Sequence, residues 1–209
     1  MLTSRSAAVP VRQHVQGFTL IELMVMLALL VALAMLAMYP MQEWINNNRV
    51  RSTADVLQNG LRQAQAEATR RSRTVMFALT GTTTFAESAD PDDLEVATEA
   101  PHWGIFATRR TGADAEFIEA GLQDNSGRAA RITGPAAICF NSLGRLVTRT
   151  NAAAGVGDAS CDSADIPARY VVDMDGVDAR SLQVEVGVGG RILMCDPNAA
   201  ADRLDACPD

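Results

Sequence analysis

Lysine is absent from this 209-residue sequence, and all 18 of its basic residues are arginine. That absence excludes Schiff-base chemistry and a phosphate-binding loop built around a lysine. Histidine is nearly absent too: only His14 and His102 occur, too few for a histidine-rich metal site or a conventional Ser-His-Asp arrangement. Aromatic residues are scarce, at 5%. Positive charge falls short of the 25 acidic residues, leaving a net charge of −7 and a pI near 4.8. That balance argues against a protein that coats nucleic acid with a broad basic face. Internal repeats are also missing. Hydrophobic residues nonetheless reach 48%, an ordinary globular fraction that rules out general disorder, and the length suits one domain with an appendage.

The apolar residues that are present are unevenly spread. Leu23 to Tyr39 carries no charge, and adding Phe18 to Ile21 gives 22 positions interrupted by a single acid, Glu22. As a helix this stretch is roughly 33 Å long, which matches the hydrocarbon thickness of a bilayer. The preceding segment, Met1 to Gly17, has Arg5 and Arg12 and no acid, so the charge pattern predicts a cytoplasmic N-terminus with everything after Tyr39 outside. A removable secretory signal, an ordinary anchor and a short leader cleaved ahead of the apolar run compete. Ala32-Leu33-Ala34 offers a formal signal-cleavage site, but the apolar run continues past it, longer than a signal needs. A carboxylate near the start of such a run is costly unless it has a purpose.

Gly17-Phe18-Thr19-Leu20-Ile21-Glu22, followed directly by the apolar run, resembles the leader signal of type IV pilins and pseudopilins. The resemblance implies cleavage between Gly17 and Phe18 by the prepilin peptidase on the cytoplasmic face, then methylation of the new Phe18 amine. It also implies an assembly role for Glu22. A buried carboxylate in a helical filament needs a cationic partner, and the terminal amine of a neighbouring subunit supplies one. The expected organisation is a leader at 1–17, a transmembrane and filament-core helix at 18–40, an amphipathic second half of that helix at 41–73, and a periplasmic β-sheet head at 74–209. The expected location is the bacterial inner membrane, single-pass, with the head in the periplasm and the chain passing into a pilus or pseudopilus.

Pro40 lacks a backbone donor and is expected to kink the helix or mark its exit from the bilayer. Beyond it, Val50, Ala54, Leu57, Leu61, Ala64 and Ala68 recur at helical spacing, with Arg51, Asp55, Arg62, Gln63 and Glu67 off the stripe, predicting one buried face. The helix is expected to end at Arg70-Arg71-Ser72-Arg73. Those cations complement its C-terminal dipole, a simpler reading than contact with nucleic acid or anionic lipid. Short β-prone runs follow at Thr74–Leu79, Thr82–Ala86, Trp103–Thr108, Glu116–Ala120, Arg131–Thr133, Ala136–Phe140, Arg145–Thr150, Tyr170–Met174, Leu182–Val188 and Arg191–Met194. Loops are read at Glu87–Glu99 and Asn151–Pro167. One long helix and then antiparallel strands give an α+β fold, the helix packed on an antiparallel sheet; this is the type IV pilin fold that the resemblance implies.

Ala64-Gln65-Ala66-Glu67-Ala68 leading to Arg71-Ser72, His102-Trp103-Gly104-Ile105, Phe140-Asn141-Ser142-Leu143-Gly144-Arg145 and Gly190-Arg191-Ile192-Leu193-Met194-Cys195-Asp196-Pro197 are similar to segments of the GspH/FimT group. This resemblance implies a structural minor pilin of a type IV pilus, or the H pseudopilin of type II secretion, rather than an enzyme. Its partners would be other minor pilins or pseudopilins and the assembly platform. No cofactor is expected. Some FimT-type proteins take part in DNA uptake through a Gly-Arg-x-Arg motif. Gly190 and Arg191 match it, but Leu193 stands at the second arginine, and losing a phosphate contact weakens a largely electrostatic interaction. DNA binding through Arg191 is thus the lesser alternative, and a plain single-pass periplasmic anchor is another.

Cys139, Cys161, Cys195 and Cys207 all follow the apolar run. An even count in an oxidising compartment favours two disulfides, and four cysteines allow three pairings. The local pairs Cys139–Cys161, closing the inserted loop, and Cys195–Cys207, tying down the tail, are favoured. A metal site lacks paired CxxC spacing and nearby histidines. Asp173-Met174-Asp175-Gly176-Val177-Asp178 resembles part of a calcium loop but lacks the closing bidentate glutamate, so a solvated turn is expected there.

Overall fold

The computed structural model describes residues 17–81, 94–108, 115–121, 130–147, 161, 166–177 and 179–208, and within the first helix the side chains of 36–40 lie outside that description. The expected leader (save Gly17), the Thr82–Ala86 arm, positions 148–150 of the expected Arg145–Thr150 strand and most of the Asn151–Pro167 loop fall outside the described residues. Among the described residues one helix, α1, runs from Leu20 to Arg71 and is followed by nine strands. Pro40 lies inside α1, and the chain divides into two compact units just after it, at Met41 and Gln42.

The first unit, through Met41, is described from Gly17 as the apolar start of α1. Its large apolar side chains from Phe18 to Met35 are 50–78% exposed. Among the described residues no helix is long and apolar enough to cross a membrane. The apolar helix with described side chains, Leu20–Met35, reaches about 24 Å at 1.5 Å per residue, short of the roughly 30 Å hydrocarbon core.

The second unit holds the remainder of α1 and all nine strands. Its helix buries Val50, Ala54, Leu57, Leu61, Ala64 and Ala68, each fully, as the 3.6-residue period requires of a one-sided helix. The helix closes at Arg71 with Ser72 in the left-handed region (φ 51°). There the Ser72 amide donates to the Thr69 carbonyl at 3.3 Å and the Arg73 amide to the Ala68 carbonyl at 3.2 Å. This is a Schellman ending, which satisfies carbonyls that the last turn would otherwise leave bare.

The strands form two antiparallel sheets where the sequence suggested one. β1 (Val75–Thr80), β3 (His102–Ala107), β4 (Glu116–Gly121) and β6 (Ala137–Phe140) make the first, in the order β4-β3-β1-β6. β2 (Glu99–Ala100), β5 (Arg131–Thr133), β7 (Ala168–Asp173), β8 (Leu182–Val186) and β9 (Ile192–Cys195) make the second, in the order β2-β5-β7-β8-β9. Two expectations need correction. Glu99, read as loop, begins β2, because it pairs with Thr133 while Arg131 reaches its carboxylate. The described part of Arg145–Thr150 forms a bridge from Leu146 to Phe140 and no named strand: the Val147 amide donates to the Cys139 carbonyl at 2.8 Å, but the Leu146 amide is drawn to the Val188 carbonyl at 3.1 Å. Asn141 Oδ1 accepts the Leu143 and Arg145 amides at 2.9 and 3.0 Å in the turn before it.

β1 shows how the core is layered. Side chains alternate across a strand, and Val75, Phe77 and Leu79 join the main cluster with the helix stripe, Ile132, Tyr170 and Val184. Met76 and Ala78 join a second cluster with Phe106, Cys139 and Cys161 on the opposite face. The strand is buried on both sides and therefore reads as an unbroken apolar run. Trp103 fits because two glycines face it. A Cβ at Gly60 on α1 would stand 2.6 Å from the indole, and one at Gly121 on β4 would stand 2.1 Å away.

Candidate assembly surface

The start of α1 is built by a short capping sequence. Thr19 precedes the helix, and its hydroxyl accepts the Glu22 amide at 3.3 Å while its carbonyl accepts the Leu23 amide at 3.2 Å. With Glu22 three residues after the cap, Thr19-Leu20-Ile21-Glu22 has the capping-box pattern. A carboxylate in the first turn also suits the positive end of the helix dipole. Glu22 thus has a local electrostatic setting as well as its place in the pilin-like motif. Phe18, at the expected cleavage point, is 77% exposed. No acid other than Glu22 lies among the exposed apolar side chains from Phe18 to Met35.

The arginines that end α1 are occupied. Arg70 and Arg71 pair with Glu67 at 2.6 and 2.7 Å, and Arg71 and Arg73 pair with Glu116 at 2.7 and 3.8 Å. Neighbouring guanidiniums hold the Glu67 carboxyl below its usual range. This cluster locks the helix end to β4. A second group ties the C-terminal tail. Arg180 pairs with Asp196 at 2.7 Å and Asp205 at 2.8 Å, and its amide donates to Asn47 Oδ1 on α1 at 2.7 Å.

Cys139 is joined to Cys161 and Cys195 to Cys207. The first bridge lies in the second core cluster. The second closes a tail whose Ala206 bridges Asp196 in parallel. His102 lies on β3, 1% exposed, and burial lowers its pKa from the ordinary value.

Among the described residues no group of His, Cys, Asp and Glu could hold a metal ion. Asp173 ends β7 and Asp175 begins the turn with Gly176 at φ 68°; Asp178 lies outside the described residues. Asp175 is engaged by Arg131 at 2.8 Å, so one carboxylate of the calcium-like sequence already has a cationic partner.

Arg191 lies just before β9, exposed, beside Gly190 at φ 87°. The sequence reading singled out this arginine but missed what positions it. Gln65 of α1 donates from Nε2 to the Gly144 carbonyl at 2.7 Å and to the Gly190 carbonyl at 2.8 Å. One amide therefore staples two turns to the helix. The apolar stripe could not reveal it, because Gln65 lies off the stripe and reads as surface.

No protein-family model matches the chain, and no protein of curated function is similar to it in sequence. Two solved structures of the Pseudomonas aeruginosa type IV minor pilin FimU are similar to it. One has 15% identity and a TM-score of 0.44, covering 73% of this chain and 97% of that one. The other, in a different crystal form, has 14% identity and a TM-score of 0.46, covering 74% and 94%.

Proposed function

We propose that the chain is a structural subunit of a type IV pilin-like filament, a minor pilin or pseudopilin of the GspH/FimT kind. The observation that carries this reading is Gly17-Phe18-Thr19-Leu20-Ile21-Glu22 at the head of a helix whose apolar side chains are 50–78% exposed. Such a surface needs a lipid or protein environment. Before assembly the segment 18–40 lies in the inner membrane, with residues 36–40 completing the length that Leu20–Met35 lacks. The prepilin peptidase cuts after Gly17, Phe18 is methylated, and the helix then passes into a filament beside other minor pilins on the assembly platform. Glu22 sets register by meeting the terminal amine of a neighbour. Apolar packing holds the filament, and the β-sheet unit is its periplasmic face.

The test is mass spectrometry of the chain recovered from its bacterial host. A mature N-terminus at methylated Phe18 is expected, and an intact Met1 or a start after Ala34 would refute the reading. Glu22→Leu should still be cleaved and should fail to enter sheared filaments.

A further inference from the structure

We propose that the turns Asn141–Arg145 and Gly187–Arg191 form a preorganised platform that docks the acidic corner around Glu99, Asp173 and Asp175 of a second copy of this chain. The contact is head-to-tail; it rests on the assembly reading for its setting and on the following geometry for its residues.

The two turns are one rigid object. Gln65 bridges their carbonyls at 2.7 and 2.8 Å, the Leu146 amide donates to the Val188 carbonyl at 3.1 Å, and a Cβ on Gly190 would meet the Gly144 carbonyl oxygen at 2.1 Å. Each turn is also closed internally, by Asn141 and by the Gly190 amide on the Gly187 carbonyl at 2.8 Å. Out of this frame project Leu143, 75% exposed, Val188, 45% exposed, and the exposed Arg145 and Arg191. Neither arginine has an ion-pair partner among the described residues, whereas eight other arginines of the same unit do. Two exposed apolar side chains and two guanidiniums, the latter unpaired among the described residues, stand on a fixed backbone that has little ordering entropy left to lose on binding a protein.

The complement is present in the same chain. Glu99 of β2, Asp173 of β7 and Asp175 of the following turn gather around Arg131, which pairs with Glu99 and with Asp175. Three carboxylates against one guanidinium leave an excess of about two negative charges. Burial above all raises the Asp173 pKa, with the Asp175 and Glu99 carboxylates adding to it against Arg131. A platform with two spare cations and a corner with two spare anions, on different parts of one chain, make a heterologous contact. Such contacts join copies head-to-tail, into a ring where the rotation closes and into an open array where it does not. Apolar Leu143 and Val188 favour a protein over a phosphate backbone, which would be met by cations alone.

The full chain in detergent micelles at low salt tests the contact by sedimentation velocity. One variant carries Arg145→Glu with Arg191→Glu, the other Glu99→Gln with Asp175→Arg. Each alone should weaken self-association by about tenfold or more, and an equal mixture of the two should restore pairing, because the intact platform of the second variant meets the intact corner of the first and the reversed platform can meet the reversed corner. Unchanged association in either variant, or a mixture that stays dispersed, overturns the proposal. A photo-cross-linking residue at Leu143 in the otherwise unaltered chain should label the peptide bearing Asp173 and Asp175. Labelling elsewhere, or none, also overturns it. If the arginine variant keeps its association but loses retention of duplex DNA, the platform belongs to nucleic acid and the proposal falls. Methylated Phe18 found alongside failed association leaves the assembly reading in place and removes only this contact.

Discussion

At the scale of single residues, two buried side chains have measurable consequences. His102 is 1% exposed, and burial depresses its pKa below the ordinary 6.5. The sign follows from linkage. The unfolded chain takes up a proton near 6.5 and the folded chain only at lower pH, so stability is unaffected above 6.5 and is lost as pH falls below it. The guanidinium chloride midpoint should be higher at about pH 7.5 than at about pH 5, and His102→Gln should flatten the part of that slope due to this residue. Trp103 supplies the other case. Gly60→Ala would ordinarily gain about 1 kcal/mol in a helix interior. Here the new Cβ would stand 2.6 Å from the indole, and overpacking of a filled site costs about 1–3 kcal/mol. Packing wins, so Gly60→Ala should lower stability in a denaturant titration. Adding Trp103→Leu should make the glycine-to-alanine step favourable.

At the scale of elements, the contrast between bridge and ion pair decides how the tail is held. Arg180 reaches Asp196 and Asp205, but its side chain is 47% exposed, and pairs of that kind contribute at most about 1 kcal/mol each. The Cys195–Cys207 bridge closes a separation of 12 residues, worth roughly 3 kcal/mol through loss of unfolded-chain freedom. Cys195→Ser with Cys207→Ser should therefore cost about 2–3 kcal/mol. Amide exchange should quicken across 196–208 while β8 stays protected. An unchanged exchange pattern would mean that the ion pairs alone hold the tail.

The stripe from Val50 to Ala68 announced its helix face through its period, and the β-prone run Thr74–Leu79 announced a strand; that both faces of the strand are covered shows only in the fold. β2 was illegible because two residues carry no period, and Glu99 looks like loop until Arg131 faces it across the sheet. The division into two sheets was equally hidden, since strand order depends on contacts distant in sequence. At the candidate assembly surface, Gly17 to Glu22 stands out in the sequence because the order of residues is itself the signal. Gln65 could not. Its role depends on two carbonyls, 79 and 125 residues away, and no local pattern encodes such a meeting.

On the scale of the whole molecule, the two compact units differ in how they satisfy their apolar surface. Among the described residues both core clusters draw their members from Val50 onward, and none comes from the stretch through Met41. The helix from Leu20 to Met35 exposes its apolar side chains to the surroundings, whereas the unit from Gln42 encloses most of its own and carries both disulfides. A chain beginning at Gln42 should consequently keep the cooperative unfolding of the parent. Its loss of Arg5, Arg12 and Glu22 moves the net charge only from −7 to −8, still far enough from zero to favour a dispersed protein. Its denaturation midpoint should lie within about 0.5 kcal/mol of the full chain's, as for changes outside a core. At high salt, which screens the charge pairs between platform and corner, it should also remain monodisperse in detergent-free buffer, whereas the full chain is expected to associate there through its exposed apolar helix. Loss of a cooperative transition on truncation would show that the first unit contributes stability after all. Detergent dependence that persisted from Gln42 onward would locate the exposed apolar surface in the sheet unit instead.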